Sequence, residues 1–283
     1  MSNAPGTLFV VATPIGNLED LSPRARRILG EVDLIAAEDT RHSRVLLGHF
    51  SISTPTVAYH DHNERAAAAD LVRRLQRGQD IALITDAGTP LISDPGYRLV
   101  NLAHEAGIPV VPVPGPSALM CALSCSGLPV HRFAFEGYAP ERPSARRKWL
   151  ARLRTEPRTM VFFEAPHRVQ DFLKDCVATF GPERQCTIAR ELTKKFETVR
   201  RASLGKLLEW MCADSERCLG EMVIVLEGTA EGWAVEEQEA VRVLEVLLDF
   251  LPVRDAAAAA AGITGWKKNE LYTLGLRIRK ADG

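Results

Sequence analysis

The sequence has no apolar run approaching the roughly 20 residues that a membrane-crossing helix needs, and no basic-then-apolar leader opens it. A C-x-x-C pair is also missing, although there are six cysteines. Scattered as Cys121, Cys125, Cys176, Cys186, Cys212 and Cys218, they read as reduced thiols and not as a disulfide framework or a metal site. These absences predict a cytoplasmic protein. Charge of one sign is absent too: 35 Lys and Arg stand against 36 Asp and Glu, which excludes a uniformly basic nucleic-acid coat but leaves room for a local basic face. There is no G-x-G-x-x-G and no G-x-x-x-x-G-K-[ST], so the usual dinucleotide and triphosphate cradles are not offered. His60-Asp61-His62 supplies two imidazoles without a third ligand at a clear spacing. It reads as a polar loop, and no metal is expected.

What is present is ordinary globular chemistry, 46% apolar and 25% charged, in 283 residues. At roughly 100–200 residues per domain this suggests two domains, or one large α/β unit with an appendage. Short apolar runs alternate with amphipathic stretches through the first two-thirds, the pattern of an open α/β sheet. Strands are expected at Thr7–Ala12, Asp33–Ala37, Thr54–Tyr59, Ile81–Thr85 and Val110–Val113. Helices are expected over Arg24–Leu29 behind a Ser22-Pro23 start, from Asn63 to Arg77, from Tyr97 to Gly107, and over Pro116–Ser126. Turn chemistry from Leu128 to Arg142 marks a boundary. Beyond it, Phe133–Phe135, Thr159–Phe163, Thr187–Glu191, Phe196–Arg200 and Met222–Leu226 read as strands, some of them antiparallel neighbours, with helices after Pro166 and Ser203. From Glu236 the chain reads as wholly helical, with a turn at Gly262-Ile263-Thr264. The expected division is an N-terminal α/β domain over 1–130, a second over 131–232, and a helix-turn-helix-like segment over 233–283.

Open α/β sheets bind ligands at the carboxyl ends of their strands. Those ends carry Ala12-Thr13-Pro14-Ile15-Gly16-Asn17-Leu18, Glu38-Asp39-Thr40-Arg41-His42, the eleven residues Asp86–Gly96, and Pro112–Ala118. Gly88 permits a close backbone approach, Pro90 and Pro95 stiffen their loop, and the helix starting near Pro116 offers free N–H groups beside Ser117. Connections of eleven residues are uncommon as mere turns, so a ligand crevice is the economical reading.

Several strings then resemble a known family. Val11–Ser22, Asp86-Ala-Gly-Thr-Pro90, Val113-Pro-Gly-Pro-Ser-Ala118 and Ser126-Gly-Leu-Pro129 with His131-Arg132 are similar to motifs of the tetrapyrrole methylase superfamily. Ala37–His42, Phe163-Glu-Ala-Pro-His-Arg168, Ala189–Lys194 and Gly220–Ile224 resemble its small-subunit ribosomal RNA cytidine 2′-O-methyltransferase branch. The first loop has lost the glycine-rich pattern of the tetrapyrrole-modifying enzymes, which disfavours a porphyrinoid substrate.

The resemblance implies two domains with S-adenosylmethionine bound between them, usually in a homodimer, and no metal. Mapped by motif, the cofactor contacts are Pro14, Gly88, Thr89, Pro90, Ser93, Ser117 and Ala118, with Glu164, Ala165 and Met222 closing from the second domain. Methyl transfer to a ribose hydroxyl needs in-line alignment and is helped by a positioned base. Asp39, at a strand end, is the candidate base; the bland alternative is a carboxylate that holds Arg41 or caps a helix. Lys194 is a second candidate, unless it neutralises a phosphate.

Ribosomal RNA must be held by cations. Residues 142–158 carry a net +6, including Arg146, Arg147 and Lys148. Arg41, His42, His167, Arg168 and Arg190 fall within the motifs and are expected at the target nucleotide, which must be splayed out to expose its ribose. The tail from Arg254 carries a net +3 and offers Lys267 and Lys268 to RNA, with domain packing as its other use. Two other functions stay open on the sequence: a ligand-sensing DNA-binding regulator, and a methylase for a small, tetrapyrrole-type molecule.

Overall fold

Short runs of β-branched and aliphatic residues, too short and too continuous for surface helices, form the centre of the chain. The computed structural model describes residues 4–281. Its first half contains β1 (Leu8–Val11), α1 (Pro23–Glu31), β2 (Leu34–Ala37), α2 (Thr40–His49), β3 (Thr56–Ala58), α3 (Glu64–Gln76), β4 (Ile81–Ile84), α4 (Tyr97–Glu105), β5 (Val110–Val113) and α5 (Ala118–Cys125). The strands lie in the order β3-β2-β4-β1-β5, all parallel. A parallel sheet is covered on both faces, which is why β2 and β4 read as unbroken apolar runs and are buried throughout. Helices α3 and α4 cover one face around Leu71, Leu75 and Leu99; α1 and α2 cover the other around Ile28, Leu29 and Leu47. Each fully buried Leu or Ile contributes roughly 1.5–3 kcal/mol. Ser22 caps α1 by accepting the Ala25 N–H at 3.0 Å, with Pro23 in the first turn.

The second sheet is built from β6 (Phe133–Tyr138), β7 (Thr159–Glu164), β8 (Gln185–Arg190), β9 (Thr198–Ser203) and β10 (Met222–Leu226), in the order β6-β7-β10-β8-β9. Only the β6–β7 pair is parallel. Helices α6 (Pro143–Arg152), α7 (Val169–Phe180) and α8 (Leu204–Cys212) pack on one face around Phe162 and Phe172. The other face takes α5 and Ile15, whose side chains pack on Val161, Ala189, Val223 and Val225. Thus α5 follows the first sheet in sequence but buries its apolar side on the second.

The chain ends in α9 (Ala230–Leu248), α10 (Val253–Thr264) and α11 (Lys268–Ala281). Ala256, Ala257 and Ala260 are buried against Leu244, Leu248 and Leu271, so the alanine run is a close-packing helix face. The turn falls at Gly265, not at Gly262–Thr264: Gly265 takes the left-handed conformation (φ 73°) that ends α10. Of the tail residues counted for charge, Asp282 lies outside the described residues. Helices α2 and α6 were not expected. The first buries few apolar residues, among them Leu47, and the second is dominated by arginine and lysine, so neither shows a strong amphipathic stripe.

Candidate active site

The loops at the carboxyl ends of β1, β4 and β5 are stitched together by backbone. Thr13 and Gly88 exchange both backbone hydrogen bonds, at 2.8 and 3.0 Å, and the Thr89 hydroxyl donates to the Pro116 carbonyl at 3.0 Å. Gly88 has φ 81°, and a Cβ there would press on Ile15 at 3.3 Å. At the end of β2, the Asp39 N–H donates to Asp86 Oδ1 at 3.1 Å, and the Asp86 N–H to Glu38 Oε2 at 3.3 Å. The stitched loops form one wall of a cleft of about 350 Å³; the ends of β6, β7, β8 and β10 form the other.

Electrostatically the cleft is one-sided. Glu38, Asp86, Asp94, Glu164 and Glu221 line it, and among the described residues no lysine, arginine or histidine does. Apolar area comes from Ile15, Phe163, Leu192 and Met222 among others. Burial pushes the Glu38 carboxyl up, partly offset by the Asp86 N–H, and the neighbouring charges of Asp86 and Asp61 add to it. Burial pushes Asp94 up to about 6, against the pull of the Thr85 hydroxyl and with the push of Glu38, Asp86 and Asp61. Glu164, whose side chain is 0% exposed, is also pushed up by burial, while the Ala165 N–H and Arg168 hold it down. Its Oε2 has no hydrogen-bond partner among the described residues, so a buried acceptor remains in the cleft wall.

Of the residues expected at the cofactor, Gly88, Thr89, Ser117, Ala118, Glu164, Ala165 and Met222 line this cleft. Pro14, Pro90 and Ser93 do not; they flank lining residues, with Pro90 buried and Ser93 exposed. Ser117 caps α5, its hydroxyl accepting the Met120 N–H at 3.5 Å.

Asp39 does not line the cleft. Its Oδ1 accepts the Arg41 N–H at 2.8 Å and caps α2, and its Oδ2 takes Arg41 Nη2 at 2.9 Å. Both uses set against the base role are therefore in place, and Arg41 holds the Asp39 carboxyl well below the usual carboxylate range. Lys194 Nζ pairs with Glu191 Oε1 at 3.1 Å and Glu221 Oε2 at 3.2 Å. Partial burial pulls its ammonium down, but the two carboxylates outweigh that and raise it, so Lys194 stays protonated near neutral pH and is a poor proton acceptor. Its aliphatic stem lies over Gly16, where a Cβ would sit 2.4 Å from Lys194 Cγ.

The expected RNA contacts divide. Arg41, His42, Arg147, Lys148, His167, Lys267 and Lys268 are exposed. Arg146 is not: its side chain is 5% exposed and its Nε bonds Asp175 Oδ2 at 2.7 Å, so it is a buried structural ion pair and not a phosphate contact. Arg168 is also turned inward, donating to the Ala139 carbonyl and lying 3.1 Å from Glu164. Arg190 is spent on the carbonyls of Leu219, Glu216 and Phe196 at 2.6, 3.1 and 3.3 Å. Each exchange has the same cause: a guanidinium near unpaired acceptors satisfies them before it serves a ligand.

Sequence reasoning did not single out Glu38, Asp86, Asp94, Tyr138, Leu192 or Glu221 for the cleft. Glu38 and the Asp86–Gly96 loop stood inside strings already marked as a crevice, so their position was available; their individual burial was not. Tyr138 had no local signal.

The comparisons agree with this geometry. Residues 7–208 match the Tetrapyrrole (Corrin/Porphyrin) Methylases, and residues 234–279 match the RsmI C-terminal HTH domain. The chain is 54% identical over 274 residues to the Ribosomal RNA small subunit methyltransferase I of Pseudomonas aeruginosa, covering 96% of this chain and 97% of that one. It is 50% identical over 274 residues to the protein of that name from Escherichia coli O157:H7, with 97% and 96% covered. Among solved structures, uroporphyrin-III C-methyl transferase from Thermus thermophilus complexed with S-adenyl homocysteine superposes with a TM-score of 0.52 at 20% identity, over 78% of this chain and 97% of that one. A parallel sheet whose stitched loops face a second, mixed sheet across a carboxylate-lined cleft, followed by a helical tail, thus has its counterpart in sequence: the chain belongs to the tetrapyrrole methylase family, among the relatives of Ribosomal RNA small subunit methyltransferase I.

Proposed function

We propose that this protein transfers a methyl group from S-adenosylmethionine to the 2′ hydroxyl of a cytidine in 16S ribosomal RNA, in the cytoplasm, on the assembled small subunit and as a homodimer. The observation that carries this reading is the cleft's charge: apolar walls and five carboxylates, of which Glu38, Asp86 and Asp94 face no cationic partner among the described residues and Glu164 and Glu221 are paired from behind by Arg168 and Lys194. Such a site favours a cofactor bearing a sulfonium and an ammonium over one bearing phosphates. The fit is supported by the unpartnered, buried Oε2 of Glu164 and by the cradle at Gly88, where only a residue without a Cβ passes Ile15 comfortably. The relative complexed with S-adenyl homocysteine holds the demethylated cofactor on the same fold.

When bound, the cofactor supplies an electrophilic methyl group. The protein supplies the rest. Gly88, Thr89, Ser117 and Ala118 would hold one side of the cofactor and Glu164, Ala165 and Met222 the other, which would fix the direction from which a ribose oxygen approaches. The exposed side chains of Arg41, His42, Arg147, Lys148, His167, Lys267 and Lys268 hold the RNA backbone outside the cleft, by charge at the arginines and lysines and by hydrogen bonds at the histidines.

The test is incubation with labelled S-adenosylmethionine and either naked 16S ribosomal RNA, assembled small subunits or duplex DNA. Label is expected on a cytidine ribose, with assembled subunits the best acceptor. Label on a base, or on no RNA at all, overturns the proposal.

A further inference from the structure

The cleft wall nearest the first sheet presents three carboxylates, and their hydrogen bonds set them apart. Asp86 accepts the Asp39 N–H, and Glu38 accepts the Asp86 N–H, so these two tie the ends of β2 and β4 together. Asp94 has no such duty: among the described residues its carboxyl takes no backbone N–H, and the buried Thr85 hydroxyl at the end of β4 is itself left without a hydrogen-bond partner. Its loop is held in an unusual path: Leu91 and Ser93 both take left-handed φ, 74° and 65°, and Gly96 has φ 140° where a Cβ would meet Leu91 and Leu83 at 2.9 and 3.0 Å. Non-glycine residues in that region are strained and persist where the surroundings enforce them. The path brings the loop to the seam between the two sheets. Ser93 Oγ lies 3.7 Å from where a Cβ of Gly137 would be, and the next residues along, Asp94 and Tyr138, both line the cleft.

We infer that Asp94 is the base that accepts the proton of the ribose hydroxyl, while Asp39 serves to hold Arg41 and α2. The inference rests on the methyltransferase reading above. The ribose oxygen gives its proton to the Asp94 carboxylate as it forms its bond to the methyl carbon; the carbon–sulfur bond breaks with its electron pair left on sulfur, and a neutral thioether leaves. Glu38, Asp86 and Asp61 face Asp94 from the ends of β2, β4 and β3, and Tyr138 faces it from β6. Burial first, and then the charges of Glu38, Asp86 and Asp61, push Asp94 up to about 6, close to the operating pH, where a carboxylate is both ionised and basic enough to be useful.

The experiment uses the full chain with assembled small subunits, in the wild-type, Asp94→Asn, Glu38→Gln and Asp39→Asn forms. Single-turnover methyl transfer is followed from pH 5 to 8.5, S-adenosylmethionine binding is measured by calorimetry, and carboxyl ¹³C resonances are titrated. Wild-type transfer is expected to rise with pH up to about 6 and then level off. Asp94→Asn should lose transfer at least about a hundredfold at saturating S-adenosylmethionine and lose that acid limb. Glu38→Gln and Asp39→Asn should keep the limb, and the resonance missing from Asp94→Asn should titrate near 6. Transfer within about fivefold of wild type in Asp94→Asn, loss of the limb in either other variant, or titration of Asp94 near 4 overturns the inference while leaving the methyltransferase reading intact. Wild-type protein that labels no ribose overturns that reading, and the inference with it.

Discussion

The two walls of the cleft use charge in opposite ways. On the first-sheet side, Glu38, Asp86 and Asp94 stand together, and among the described residues backbone N–H groups relieve the first two while Asp94 takes none. On the second-sheet side the ions are matched: Arg168 with Glu164, and Lys194 with Glu191 and Glu221, while Arg190 is spent on three carbonyls. One wall stores unfavourable electrostatics, as the proposed roles of receiving a cation and a proton require. The other carries its charges largely as ion pairs, with Glu164 Oε2 left without a hydrogen-bond partner among the described residues. The difference warns against reading a motif arginine as a ligand contact before its local acceptors are counted.

Substitutions can break this comparison. The largest effect is expected at Arg168→Met, which strands the fully buried Glu164 carboxyl; urea unfolding should show a loss of roughly 3 kcal/mol. A loss near zero would mean that the second wall is not held by its ion pairs. Gly220→Ala comes next. Gly220 has φ 85°, and its Cβ would sit 2.4 Å from the Glu191 carboxyl that anchors Lys194, so about 2 kcal/mol should be lost and the Lys194 pairing disturbed.

The first wall should respond with the opposite sign. Between the ordinary value of 3.8 and the folded value of about 6, the native protein keeps an Asp94 proton that the unfolded chain has released. Stability therefore falls as pH rises through that window, and the full penalty stands above it. Asp94→Asn removes the penalty and should gain about 1 kcal/mol at pH 7.5 after solvent screening, with no gain at pH 4. A destabilised variant at pH 7.5 would contradict the stored-charge account. The smallest effect is at the exposed cations: Lys148→Ala should leave the melting temperature unchanged and lower the salt dependence of RNA binding by about one unit of slope. Arg146→Ala should behave differently, losing stability through Asp175, and the pair of variants separates surface from core charge within one helix.

Much of this was legible in the sequence because local rules decided it. Strands β2, β4 and β5, the Ser22 cap and the loop Asp86–Gly96 follow from periodicity, capping and turn chemistry alone. The expected RNA role of Arg146 failed because residue type cannot tell an exposed helix face from one turned toward Asp175, which is 29 residues away in sequence. Asp39 and Asp94 show the same limit at the site. Both sit in polar strings at strand ends, and only three-dimensional burial distinguishes the carboxylate tied to Arg41 from the one crowded by other anions.

Helix α5 carries one more consequence. Because Leu119, Leu123 and the nearby Leu128 are buried against strands of the second sheet, severing the chain near residue 130 would leave both fragments with a raw, sticky surface. The halves are therefore expected to melt in a single transition, and the cleft to owe its width to how closely one small-residue helix nests on its neighbour.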